Sequence, residues 1–285
     1  VSRYPKIGLP GAVVVITGGA RGIGAATARL FADKGADVWI GDVDDVVAKE
    51  TAASIPRAQA GALDVTKPES WASFLDRVRA ESGPVDILIN NAGVMPLGGF
   101  VEENERTTDL ILDVNVRGPL NGARAVLPEM VARGRGHIVN VASMAGKLAI
   151  PGMVTYNASK FGAVGLSVAL RKEYADSGVS ISSVLPSAVR TELASGAPLG
   201  KGMPTVDPED VAAAIVRSVD TRRAQISVPG WLAFGWGLVD LLLPEPVERL
   251  GRRLIDDRRA LTSLDLNARS AYIERIERQS QEHQK

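Results

Sequence analysis

An apolar run, Val13-Val14-Val15-Ile16, ends at Thr17-Gly18-Gly19-Ala20-Arg21-Gly22-Ile23-Gly24, and a helical pattern with Ile23, Ala26, Leu30 and Phe31 on one face begins inside that glycine cluster. A buried strand that turns into a helix through glycines constrains this chain more than any other feature. Glycine permits the tight turn and lets the main chain approach a bound group closely. Free N–H groups at the helix start, with the positive end of its dipole, then face an anion such as a dinucleotide pyrophosphate. Plain strand–helix turns also use glycine, so the loop alone leaves both readings open.

The same alternation continues along the chain. Residues 38–40, 60–65, 85–89, 137–141, 179–185 and 225–228 read as further strands, and 68–80, 107–130 and 153–174 as helices. The pattern predicts an α/β fold: a doubly wound parallel sheet of about seven strands with helices on both faces. It places a catalytic domain over residues 1–230 and a helical C-terminal extension over 231–285, packed on or beside it. An apolar fraction of 45% and a charged fraction of 23% suit a globular core. The 33 basic and 33 acidic side chains balance, so no general attraction to nucleic acid is expected. There is no cysteine, and His137 and His283 are the only histidines, so no metal site is expected. His137 opens a strand without an acid at readable spacing and reads as structural; Trp39 reads as packing. With neither a secretory pattern nor a spanning apolar stretch, the expectation is a cytoplasmic location without a transmembrane helix.

Asp42 ends the second strand about 20 residues after the glycine loop, where a carboxylate can hold the adenosine ribose hydroxyls. A carboxylate there repels a 2′-phosphate, which favours NAD over NADP; Arg21 points the other way. Tyr156 and Lys160 are four apart at the start of a long helix and share a face. An ammonium beside a phenol favours the phenolate, which makes Tyr156 a candidate general acid/base tuned by Lys160. Ser143, thirteen residues before Tyr156, offers a hydroxyl to a substrate carbonyl.

Taken together, the glycine loop, Asn90-Asn91-Ala92-Gly93, Asn115, Ser143 and Tyr156-(three residues)-Lys160 stand in the order and spacing of the short-chain dehydrogenase/reductase family, which the chain resembles over residues 10 to 230. The resemblance implies a Rossmann-like fold, a nicotinamide cofactor and direct hydride transfer. It implies that Asn115 supports a proton relay with Lys160, and that Lys160 also holds the nicotinamide ribose. Gly18, Arg21, Gly22, Ile23 and Gly24 would cradle the phosphates, Asn91, Ala92 and Gly93 would line the adenosine side, and Asp64 and Val65 would meet the adenine. Pro186, Val189 and Thr191 would lie at the nicotinamide carboxamide. Ser187 stands where the family has glycine, which raises the question of the backbone path there. The family commonly forms homo-oligomers, dimers or tetramers, through the helix that here carries Gly162, Ala163, Gly165 and Ala169.

Met95, Leu148, Ile150, Met153 and Leu193 flank the candidate catalytic groups, with Leu199 further along a segment, 187–204, that resembles the family's mobile substrate loop. A site with few charges suits a lipophilic alcohol or ketone. Beyond Gly230, Trp231, Phe234, Leu238 and Leu241 form a helical stripe, followed by Val247, Leu250 and Leu254 beside Arg249, Arg252 and Arg253. The stripe reads as a lid, an oligomer contact or a peripheral membrane anchor, the first two ahead of the third. Two rival functions are a non-catalytic nucleotide-binding regulator and a membrane-attached interaction protein.

Overall fold

A computed structural model describes residues 4–197, 204–232 and 259–283. Inside its sheet lies β1 (Val13–Thr17), buried at every position because both faces are covered. Beside it run β2 (Asp37–Asp42), β3 (Ala58–Ala62), β4 (Ile87–Asn90), β5 (Gly136–Val141), β6 (Val179–Pro186) and β9 (Gln225–Val228). They make a seven-stranded sheet, order β3-β2-β1-β4-β5-β6-β9, with every pair parallel. The order reverses between β1 and β4, and in such sheets the crevice at the strands' C-terminal ends takes the ligand. A separate two-stranded pair, β7 (Ala188–Val189) and β8 (Thr205–Val206), brackets the segment after β6.

Helices α1 (Gly22–Asp33), α2 (Asp45–Ala53) and α7 (Pro208–Thr221) cover one face. Helices α3 (Pro68–Ser82), α5 (Gly118–Ala132) and the end of α6 (Val154–Glu173) cover the other. Trp39 lies fully buried in the second layer, its ring centroid 6.0 Å from that of Phe74 in an edge-to-face arrangement and its indole N–H donating to Ser82 at 2.9 Å. The third strand ends at Ala62 rather than Val65. Pairing with β2 stops at Asp42↔Ala62, and Asp64 then turns the chain by accepting the Thr66 N–H at 3.0 Å. The long helix expected over 107–130 divides into α4 (Glu105–Leu112), a π-helical turn (Asp113–Arg117) and α5.

The C-terminal extension is helical, as the sequence pattern predicts. Of the stripe read over 231–241, only Trp231, exposed, belongs to the described residues; Phe234, Leu238 and Leu241 lie outside them, as do Val247, Leu250, Leu254, Arg249, Arg252 and Arg253. A short turn, α8 (Arg259–Thr262), precedes a long helix, α9 (Leu266–His283), which packs on α4. Tyr272 and Ile276 of α9 join Val94, Leu110 and Ile111 in one buried cluster. Among the described residues no helix is long and apolar enough to cross a membrane.

Candidate active site

The crevice beside β1 and β4 gathers the glycine loop. Gly18 and Gly22 hold φ of +62° and +53°, a region that side chains disfavour. A Cβ at Gly18 would stand 2.7 Å from the Ala92 Cα, and one at Gly24 would stand 2.3 Å from the Gly18 carbonyl oxygen. Asn91 closes the junction by donating Nδ2 to the carbonyls of Thr17 (3.0 Å) and Gly18 (2.9 Å). The Thr17 hydroxyl accepts the N–H groups of Asn91 and Ala92, each at 3.0 Å. Thr191 reaches the loop from the opposite side: its methyl carbon lies 3.2 Å from where a Gly22 Cβ would be. Ile23 is half-buried in the first turn of α1.

At the end of β2, the Asp42 carboxylate accepts the Ala20 N–H through one oxygen and the Asp44 N–H through the other, both at 3.1 Å. Burial nevertheless holds its pKa above the usual carboxylate range. Arg21 turns to acids instead: its guanidinium lies 2.7 Å from Asp44 and 3.8 Å from Glu192. That hydrogen bond lowers the Asp44 carboxyl. Thr66 donates its N–H and hydroxyl to Asp64 (3.0 and 2.7 Å), and the Val65 carbonyl accepts from the Trp71 indole and the Asn121 amide, both at 3.1 Å.

Tyr156 and Lys160 sit one turn apart on α6, both buried. Ser143 follows β5, caps a 3₁₀ turn (Met144–Gly146) through the Ala145 N–H at 3.1 Å, and hydrogen-bonds the Tyr156 hydroxyl. Burial raises the phenol above its ordinary value, and the Ser143 hydrogen bond partly offsets it. The Lys160 ammonium is 5.6 Å from the ring centroid and donates to the Val141 carbonyl at 3.2 Å. Burial pushes its pKa down to about 8.

The π-helical turn aims Asn115 inward. Its Oδ1 accepts the Val94 N–H at 2.9 Å, and its Nδ2 donates to the Val94 carbonyl (2.9 Å) and the Ser159 hydroxyl (3.0 Å). Ser159 donates in turn to the Tyr156 carbonyl at 2.7 Å, so Asn115 is tied to the turn that carries the phenol. A Cβ at Gly93 would stand 3.3 Å from Asn115 Oδ1 and 3.5 Å from Lys160 Nζ, so glycine lets these groups converge. Ser159 was not singled out by the motif; its position three residues after Tyr156, on the inner face of α6, was the available signal.

Met95, Ala145, Tyr156 and Ala194 form one buried cluster on which Leu97, Ile150, Met153 and Leu193 pack. Four of the apolar residues expected on the substrate side therefore meet around the phenol. Leu148 is half-buried outside that cluster, and Leu199 lies outside the described residues. Arg269 and Tyr272, which sequence pattern did not select, also reach this region: the Tyr272 hydroxyl accepts the Met95 N–H at 2.7 Å.

The residues present fit a dinucleotide. Arg21, the N-cap of α1, makes no side-chain capping bond, so the loop's own side chain does not satisfy the helix's first N–H groups. Ser187 Oγ, just past Pro186 at the end of β6, is buried without a hydrogen-bond partner. Its backbone resolves the question raised by serine in place of glycine. Arg57 and Arg222 are the non-glycine residues with positive φ among those described, so Ser187 needs none of glycine's freedom. Val189 is buried in the first core layer.

Comparison with known proteins agrees with this geometry. A family model described as short chain dehydrogenase matches residues 12–200. Oxidoreductase UcpA of Escherichia coli (strain K12) is 36% identical over 219 residues, 75% of this chain and 82% of that protein. The 2,5-dichloro-2,5-cyclohexadiene-1,4-diol dehydrogenase LinX of Sphingobium indicum is 36% identical over 194 residues, covering 67% of this chain and 78% of LinX. A crystal structure of a short chain dehydrogenase/reductase from Burkholderia phymatum in complex with NAD superposes with a TM-score of 0.73 at 29% identity, covering 80% of this chain and 92% of that one.

Proposed function

The chain belongs to the short-chain dehydrogenase family, and from that premise we propose that it interconverts an alcohol and a ketone or aldehyde on a lipophilic substrate, with NAD preferred to NADP. It is an NAD(P)-dependent oxidoreductase. The observation that carries the finer reading is the meeting of Ser143, Tyr156 and Lys160 beneath an apolar wall of Met95, Ile150, Met153 and Leu193.

A bound nicotinamide would supply the hydride chemistry, accepting hydride from the alcohol or donating it to the carbonyl carbon. Ser143 orients the substrate oxygen by hydrogen bonding, and Tyr156 gives or takes the proton at that oxygen. A phenol is protonated near neutral pH, the state a proton donor requires, and burial favours that state further. Lys160 places an ammonium beside the ring and holds the nicotinamide ribose, while Asn115 fixes the turn beneath it and supports the proton relay. The glycine loop with Asn91, Ala92 and Gly93 would seat the dinucleotide, Asp64 and Val65 would meet the adenine, and Pro186, Val189 and Thr191 would face the carboxamide.

Two features support NAD. Asp42 puts a carboxylate where the ribose hydroxyls are read, and the Arg21 guanidinium is already engaged by Asp44. A cyclic secondary alcohol is a suitable first probe, since the name of one relative describes a cyclic diol dehydrogenase. A screen of cycloalkanols with each cofactor, read by nicotinamide absorbance, should show turnover with NAD at lower substrate and cofactor concentration than with NADP. Asp42→Ala should narrow the preference. Tighter binding of NADPH than NADH would overturn the cofactor reading, and activity confined to charged, non-lipophilic alcohols would overturn the substrate class. We infer in addition that the chain self-associates through the exposed side of α6, where Phe161 is 45% exposed and Gly165 one turn later has open space around it.

A further inference from the structure

We propose that α9 is part of the substrate site: Arg269 is a positioning residue that clamps the two loops flanking Tyr156, and Tyr272 backs the apolar wall they form. The proposal rests on the oxidoreductase reading for its kinetic consequence, while its structural core stands on the contacts alone.

The first loop follows β4 and carries Met95. Its main chain is taken up at both ends of one residue: the Met95 N–H donates to the Tyr272 hydroxyl at 2.7 Å, and the Met95 carbonyl accepts from Arg269 Nη2. The second loop follows β7 and carries Leu193 and Ala194. Arg269 Nη1 donates to the carbonyls of Leu193 (3.1 Å) and Ser195 (2.7 Å). One guanidinium therefore satisfies three carbonyls from two loops whose side chains, Met95, Leu193 and Ala194, surround the phenol. Arginine suits this task because its planar fork presents several donors in fixed directions, whereas lysine offers a point charge.

Further contacts hold the helix in this place. The Arg269 guanidinium lies 4.5 Å from the Tyr272 ring centroid and is buried. A Cβ on Gly196 would stand 2.2 Å from the Asp265 carbonyl, and the Gly196 carbonyl accepts the Asp265 N–H at 3.0 Å, so the second loop and the start of α9 leave no space between them. Arg275 pairs with Glu192 at 2.8 Å, and Glu192 in turn faces Arg21 of the glycine loop at 3.8 Å. Leu193 packs both on the cluster around Tyr156 and on the cluster around Tyr272, so the two apolar groups share a wall. Tyr272 is also close enough to Tyr156 to raise its phenol slightly.

A clamp of this kind sets how wide the pocket opens. Loosening it should alter discrimination by substrate size more than turnover of a small substrate. The test uses the full chain, with cyclopentanol and cyclododecanol as probes, NAD as oxidant, and hydrogen exchange of residues 93–97 and 190–197 with NADH bound. Arg269→Ala should change the ratio of kcat/KM between the two alcohols by at least about tenfold, mainly through KM for the alcohol. Exchange in both loops should rise at least about tenfold while β5 and α6 keep their protection. Arg269→Lys should restore only part of each effect, and Tyr272→Phe should loosen the Met95 loop alone. If Arg269→Ala unfolds, Gly196→Ala tests the same contact from the loop side. Unchanged exchange in both loops overturns the clamp whatever alcohol is turned over. Unchanged size discrimination alongside raised exchange overturns its role in specificity. A chain that oxidises neither alcohol removes the proposed substrate class, and the exchange result then decides the clamp separately.

Discussion

Tyr156 is held by opposing effects: burial disfavours its phenolate and the Ser143 hydroxyl favours it. The ring also packs against Met95, Ala145 and Ala194, so its loss would disturb packing and chemistry together. Tyr156→Phe separates them, because it keeps the ring and removes the hydroxyl. Turnover of any accepted alcohol should fall at least about 10²-fold while NADH affinity, measured by fluorescence titration, stays near that of the parent. Turnover close to the parent's would remove Tyr156 from the reaction. The spacing of Tyr156 and Lys160 was readable because helix periodicity alone puts them on one face. The balance of effects on the phenol was not readable, since it depends on burial and on where Ser143 points.

At the scale of elements, β5, β6 and α7 are joined through one fully buried imidazole. His137 engages Ser180 Oγ through Nδ1 at 2.8 Å and Ser218 Oγ through Nε2 at 2.9 Å, while Arg222 donates to the same Ser180 hydroxyl at 2.7 Å. Its structural reading from sequence agrees with this placement. Burial, with the nearby guanidinium groups of Arg222 and Arg171, pushes its pKa down to about 3 from an ordinary 6.5. Because the folded value is lower, the unfolded chain takes up a proton between those limits and the native chain does not. Stability from this group is therefore complete above pH 6.5 and declines as pH falls toward 3, by up to about 1.4 kcal/mol per pH unit. His137→Gln should cost about 1–3 kcal/mol at pH 7 yet show a shallower loss from pH 6.5 to 5 in urea unfolding. Parallel pH dependence in variant and parent would refute the assignment. The π-helical turn at 113–117 belongs to the same scale: apolar periodicity shows a long helix, but an inserted residue that redirects Asn115 leaves no trace in that periodicity.

For the whole molecule, the exposed stripe of α6 is the feature that calls for a partner. Phe161, Gly165 and Ala169 recur at four-residue spacing on one exposed side, and small residues there permit close helix approach. A second copy meeting the same stripe would bury Phe161 under two-fold symmetry. Sedimentation at micromolar concentration should show a dimer or larger assembly, and Phe161→Glu should shift it toward monomer. A monomeric parent protein under those conditions would dispose of the proposal.

Much of this architecture was set by local pattern in the sequence. Strands such as β1 announce themselves as β-branched runs, the glycine loop by a strand on one side and a helix on the other, and the pairing of Tyr156 with Lys160 by one helical turn. Each rests on residues a few positions apart, where backbone geometry fixes what faces what. The C-terminal helix obeys no such rule. Tyr272 and Ile276 are the buried apolar side chains of α9, and the decisive partner of Arg269 is the Met95 carbonyl, 174 residues away. Every residue carries a carbonyl, so a side chain that binds main chain leaves no signature at the position it binds. The tertiary structure alone decided that the charged tail of this sequence comes back to hold the loops around its phenol.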